Sequence, residues 1–220
     1  MSSIVSFIGW HDSGKTILVS NVVSELKKLG YRVAVIKSSN DFGIAFDTAG
    51  TDTHRHKEAG ADSVMLIAPD QMILQTKNSG FSLRTLAHRY FPDVDIVIGE
   101  GFKTARKIPK IEVVRNVSQK LREEVHGVIA VATDIEGVAG NYVFKLDESR
   151  EIALFIEKRY LTRKGSREIT ALLVNGNKIP VKDFVQEALA QTVRGFVKTL
   201  KLQQDIKEIE IRIRVEDLES

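Results

Sequence analysis

The chain has 220 residues, 43% hydrophobic and 28% charged, which is enough for one globular domain and a smaller appended unit. With 32 basic and 29 acidic residues interspersed, the net charge of +3 argues against nucleic acid as a partner, and the absence of cysteine excludes disulfides, thiolate metal sites and thiol catalysis. No apolar run approaches the roughly 18 residues of a membrane span, and Met1-Ser2-Ser3 leads into a strand without a secretory pattern, so a cytoplasmic, membrane-free protein is expected.

The first element is an apolar strand, Ile4–Ile8, followed by Gly9-Trp10-His11-Asp12-Ser13-Gly14-Lys15-Thr16. This is a complete G-x-x-x-x-G-K-T phosphate loop between a strand and a helix. Gly9 permits a sharp exit from the strand, and Gly14 lets backbone approach phosphate. Backbone amides from Asp12 and Ser13 onward would point at phosphate oxygens from a helix N-terminus. Lys15 supplies a cation for the β- and γ-phosphates, and Thr16 a hydroxyl for Mg²⁺. A nucleoside triphosphate is the expected ligand.

Leu18, Val22, Leu26 and Leu29 then mark one face of a helix that Gly30 stops. Arg32–Lys37 reads as a buried strand, completing a βαβ unit with parallel strands. Ser63–Ile67, Asp95–Gly99 and Val128–Ala132 are expected to continue that sheet, with Gln71–Gln75 and Ile111–Val114 as peripheral strands. Ser82–Tyr90 and Glu148–Tyr160 are expected helices. Residues 1–160 therefore read as a three-layer α/β domain with its ligand at the carboxyl ends of a mostly parallel sheet.

Three constellations lie on that rim. In Asp47–Ala61, Asp47 or Asp52 could hold Mg²⁺ and Arg55 could neutralise phosphate charge; equally, Asp52 or Thr53 could cap a helix. His54 and His56 point to different faces of a helix, so they are poor joint metal ligands, and His56 is better placed to donate a hydrogen bond to an anion. Asp95–Lys103 has an apolar strand ending in an acid, the Walker B arrangement, with Glu100 rather than Asp95 at the metal end. Lys103 can reach a second anionic ligand. Asp134, just past a late strand, could accept the N1 and N2 protons of guanine.

Beyond a polar linker at 161–167, residues 168–220 read as a small β-β-α-β unit. Ala171–Val174 and Lys178–Val181 flank Asn175-Gly176, a tight-turn signal. Asp183 is the expected N-cap of the helix, and Glu208–Val215 the last, half-buried strand. A unit this small is marginal alone, so association or partner docking is its expected role.

The order GxxxxGKT, D-x-x-G-x-D-T-x-R-H-x-x-A-G-A and E-G-F-K resembles the molybdopterin-guanine dinucleotide biosynthesis protein B family over residues 3–160. The resemblance implies a P-loop fold binding Mg-GTP with at most slow GTPase activity. It further implies a role beside a separate guanylyltransferase, protein A of the pathway, in making the molybdenum (or tungsten) cofactor. Molybdopterin is a further candidate ligand, and a homodimer is implied. Carried over, Gly9 and Gly14–Thr16 form the phosphate and Mg²⁺ site, with Asp52, Arg55 and His56 on its rim and Glu100 and Lys103 facing the second ligand. Trp10-His11-Asp12 departs from the small or polar residues common there, Asp12 adding negative charge beside the phosphates, and Thr16, Glu100 and Asp52 are the expected metal ligands. The competing reading is a P-loop kinase acting on a small metabolite, for which Arg84 and Arg89 are the nearest approach to a lid.

Overall fold

The computed structural model describes residues 2–44, 47–116, 121–161, 169–175, 177–179, 181–200, 205–206, 208–211 and 213. The first part of the chain runs β1 (Ser3–Gly9), α1 (Lys15–Lys28), β2 (Val33–Lys37), α2 (Asp52–Glu58), β3 (Ser63–Ile67) and β4 (Met72–Thr76). It continues through α3 (Leu83–Tyr90), β5 (Ile96–Glu100), β6 (Lys110–Val114), β7 (Val128–Thr133), β8 (Val143–Phe144) and α4 (Ser149–Ile156). A π-helical turn at Glu157–Leu161 extends α4. The chain divides into two compact units, residues 1–164 and 165–220.

The first unit is built on a six-stranded, wholly parallel sheet in the order β2-β5-β1-β6-β7-β8. Strand alternation sends Val5 and Phe7 of β1, Ile96 and Ile98 of β5, and Ile111 and Val113 of β6 into one core with α1 and α4. Leu18, Val22 and Leu26 of α1 and Ile152 and Ile156 of α4 complete it. The opposite parity, Ile4 and Val97, packs with Leu83 and Ala87 of α3 and with Ile108. The result is the expected three-layer α/β arrangement. Each such side chain contributes about 1.5–3 kcal/mol on burial. Burial on both faces is why these strands read as continuous apolar runs rather than alternating ones. Gly30, at φ 90°, terminates α1, its N–H donating to Lys27 O at 3.0 Å.

Two strand assignments change. Ser63–Ile67 does not join the main sheet but pairs antiparallel with β4 as a separate hairpin. A short apolar run specifies a strand without specifying its neighbour, and here an antiparallel partner lies within one tight turn. Ile111–Val114 is not peripheral: β6 lies between β1 and β7, with all five residues buried. Its charges, Lys110 and Glu112, resemble an edge strand in sequence but are satisfied internally, as described below. The two-residue strand β8 is too short to signal itself.

The second unit contains the hairpin β9 (Leu172–Val174) and β10 (Asn177–Ile179), joined antiparallel, and α5 (Asp183–Lys198). The N-cap is Lys182 rather than Asp183, which occupies the first turn, where a carboxylate complements the helix dipole. Residues 208–211 and 213 form no strand, and the remainder of the expected last strand lies outside the described residues, as do linker residues 162–167.

Candidate functional site

The phosphate loop follows from two glycines that no other residue could replace without movement. A Cβ on Gly9 would lie 2.6 Å from both Ser13 Oγ and the Val113 carbonyl oxygen. Gly14 has φ 82°, left-handed, and is the N-cap of α1. No side chain caps that helix, so its first-turn N–H groups are offered to a ligand. Asp12 is also left-handed, at φ 56°, and its carboxylate meets His11 Nδ1 at 2.8 Å, away from the loop's interior. Lys15 folds over its own loop, Nζ donating to the Trp10 carbonyl and, at 3.2 Å, to Ser13 Oγ.

Sheet order explains what faces this loop. β5 is the parallel neighbour of β1 on one side, with Phe7 in register with Glu100 and Glu100 in register with Lys37 of β2. Glu100 is buried, accepts a 2.6 Å hydrogen bond from Thr16 Oγ1 and sits 3.4 Å from Lys37 Nζ. Burial pulls the Lys15 pKa below the ordinary lysine value; Glu100 opposes this, while Lys103 and Lys37 reinforce it. Lys37 meets the buried Glu100 directly, and Lys37 and Lys103 both act on Lys15, so several cations gather around the loop, an arrangement suited to a polyanion.

The chain then turns through Gly101 and Phe102 at φ 95° and 52°, two consecutive left-handed residues. Ser6 Oγ donates to Gly101 O at 2.8 Å, and a Cβ on Gly101 would come within 3.2 Å of Ser38 Cβ. This strained, buttressed turn delivers Lys103 to Trp10, with Nζ 4.7 Å from the ring centroid, a cation–π contact between the two motifs.

On the other side of β1, Arg115 follows the end of β6. Its Nε and Nη2 lie 3.2 Å from where a Cβ on Gly14 would be. A cavity of about 190 Å³ opens between Trp10–Ser13 and Val113, Arg115 and Asn116. A larger cavity, about 320 Å³, lies at Arg122, His126 and β7, away from this loop.

The remaining expected residues make contacts of their own. Asp52, Arg55 and His56 lie on α2, which has no buried residue and is capped by Thr51, not by Asp52 or Thr53: Thr51 Oγ1 accepts from His54 N at 3.3 Å. Arg55 meets Asp52 at 3.8 Å, and among the described residues none of the three bonds to the phosphate loop. Asp134 follows β7, two strands from β1, and its Oδ1 accepts from Leu146 N at 3.0 Å. No cluster of three or more histidines or carboxylates suited to a metal occurs among the described residues. Lys37 and Arg115 were not anticipated. The available signal was position: each stands at the carboxyl end of a parallel strand, on the rim where ligands bind in such sheets.

A family model for molybdopterin guanine dinucleotide synthesis protein B matches residues 4–134. The chain belongs to this family. A Methanocaldococcus jannaschii protein described as a molybdopterin-guanine dinucleotide biosynthesis adapter protein is 25% identical over 241 aligned positions, covering 98% of this chain and 99% of its own. The Haemophilus influenzae molybdopterin-guanine dinucleotide biosynthesis adapter protein is 33% identical, over 70% of this chain and 87% of its own. The crystal structure of a molybdopterin-guanine biosynthesis protein B superposes with a TM-score of 0.58 at 32% identity, covering 70% of this chain and 98% of that one. The family match spans the phosphate loop, α2 and the Glu100 turn, so the protein B assignment and the site geometry concern the same residues.

Proposed function

We propose that this protein is a GTP-binding adapter in molybdopterin-guanine dinucleotide biosynthesis, acting beside the guanylyltransferase of the pathway. The observation that carries this reading is the convergence of Lys15, Thr16 and Glu100 at an uncapped helix N-terminus, in a member of the protein B family. Phosphate oxygens would take the N–H groups of Ser13 to Thr16 and displace Lys15 Nζ from the Trp10 carbonyl. Thr16 Oγ1 and a Glu100 oxygen are 2.6 Å apart, two hard oxygen donors that fit Mg²⁺. Bound there, the metal would supply positive charge to the β- and γ-phosphates. Asp134, at the end of β7, is the proposed guanine reader.

Hydrolysis is proposed to be slow at most. Glu100 is engaged by Thr16 and Lys37, and Arg55 is directed to Asp52 on the surface. The kinase reading has less support, because Arg84 donates to the Lys107 carbonyl at 3.0 Å and Arg89 stacks on Phe81, so neither is a free lid residue. Lys103 is the proposed contact for a second anionic ligand such as molybdopterin. A homodimer is supported by the β3–β4 hairpin, which exposes Met65, Leu66, Ile67, Met72, Ile73 and Leu74; a two-stranded sheet is marginal unless covered.

Calorimetry with Mg-GTP and Mg-ATP tests the central reading. Lys15→Ala removes a charge-assisted contact of about 1.5–3 kcal/mol and should cut GTP affinity at least tenfold. Asp134→Ala should weaken GTP while leaving ATP unchanged. Unaltered GTP affinity in Lys15→Ala would refute the phosphate-loop assignment.

A further inference from the structure

We propose that Arg115 is a nucleotide-binding residue that grips the α- and β-phosphates from the β6 side of the loop. The inference rests on the GTP reading above and adds a residue and a polarity to it. Three observations carry it. First, register: Gly9 of β1 lies opposite Val113 of β6, so Arg115 stands two residues beyond the point where β1 gives way to the loop. Second, contact: the guanidinium occupies the space beside Gly14 that any larger residue would need, so Gly14 makes room for Arg115 as well as for the left-handed turn. Third, Arg115 lines the 190 Å³ cavity together with Trp10–Ser13 of the same loop.

The sheet order gives the ligand a direction. Thr16, Glu100 and Lys37 lie toward β5 and β2, which assigns the metal and the terminal phosphate to that side. Asp134, the proposed guanine reader, follows β7 on the other side, so on that reading the base lies there. Arg115, on β6, falls between the two, over the phosphates nearest the ribose. A guanidinium suits that place: it stays charged at all working pH values and can bond two oxygens of a phosphate at once. Other arginines are committed elsewhere: Arg122 pairs with buried Glu112 at 3.0 Å, and Arg55 pairs with Asp52. Because Arg115 serves phosphates common to GDP and GTP, it aids binding without adding charge at the γ-phosphate, in keeping with slow turnover.

The test is calorimetry of wild type, Arg115→Ala and Arg115→Met with Mg-GTP and Mg-GDP. Arg115 is exposed, so thermal melting should be unchanged in both variants. Both should lose about ten- to a hundredfold in affinity, equally for GDP and GTP. Methionine keeps an unbranched side chain against Gly14 but not the charge, so full binding by Arg115→Met would reduce the arginine to packing and overturn the proposal. A loss confined to GTP would move Arg115 to the γ-phosphate and also overturn it. If the wild type binds neither nucleotide, the GTP reading itself falls, and this assignment with it. Wild-type binding with unaffected variants overturns Arg115 alone.

Discussion

At the scale of single residues, the site is a problem of like charges. Burial is the largest pressure on Lys15 to lose its proton, and the charges of Lys103 and Lys37 add to it against the opposing pull of the buried Glu100 carboxylate. Phosphate binds the protonated lysine, so affinity is present at low pH and is lost as pH rises through a Lys15 pKa that lies below 10.5. Inorganic tripolyphosphate is the right probe, since it has no base to ionise. Its affinity should fall on the alkaline side before an ordinary lysine would titrate. Lys37→Met, by removing one of the depressing charges, should move that fall to higher pH. A profile flat up to pH 10.5 would contradict this account of the lysine cluster.

At the scale of elements, β6 shows how a central strand tolerates charge. Lys110 is buried, and its Nζ donates to the carbonyls of Ala105, Ile108 and His126, binding the segment after the Glu100 turn to the one before β7. Glu112 is fully buried and accepts from Leu121 N and from Arg122 Nη1 at 3.0 Å. Arg122→Ala would strand that carboxylate without a charged partner, a change that costs about 3–5 kcal/mol. Against a total stability of about 5–15 kcal/mol this is severe. Urea unfolding should show it as a large drop in midpoint, and Glu112→Leu combined with Arg122→Leu should recover much of the loss, because a buried pair is often replaceable by apolar packing. Equal stability of wild type and Arg122→Ala would mean that the pair does not stabilise β6.

At the scale of the whole molecule, the two units raise different questions. The family model ends at residue 134, while the M. jannaschii relative matches 98% of the chain, so the second unit is shared beyond this sequence. Among the described residues its interior is slight: Gln186, which donates to Val181 O at 3.1 Å, is the buried residue of α5, and Phe184 and Phe196 stand exposed. We propose association or docking as its role. Truncation after Leu161 should leave GTP affinity within a few-fold yet lose an assembly step in light scattering or capture of the guanylyltransferase. Loss of GTP affinity on truncation would assign the unit to the nucleotide site instead. The β3–β4 hairpin makes a separate prediction. Leu66 and Ile73 are directly paired, so Leu66→Asp with Ile73→Asp places two charges on one apolar face and should convert a dimer to monomer. Unchanged mass in that variant would remove the hairpin from the interface.

Local pattern was enough to determine which stretches form buried strands, where the phosphate loop begins and ends, and that Glu100 rather than Asp95 stands at the carboxyl end of its strand. These depend on periodicity, on glycine's freedom at φ 82° and on strand polarity, all readable within ten or so residues. Which strands become neighbours is a long-range choice, and only the tertiary structure decided it. β3 left the sheet for β4, β6 moved to the centre once Arg122 and three carbonyls satisfied its charges, and α2 took Asp52 and Arg55 to an exposed surface. The same choice brought Lys37 to Glu100 and Arg115 to Gly14 across 63 and 101 residues of chain, because side chains on parallel strands meet according to strand order and register, not sequence separation.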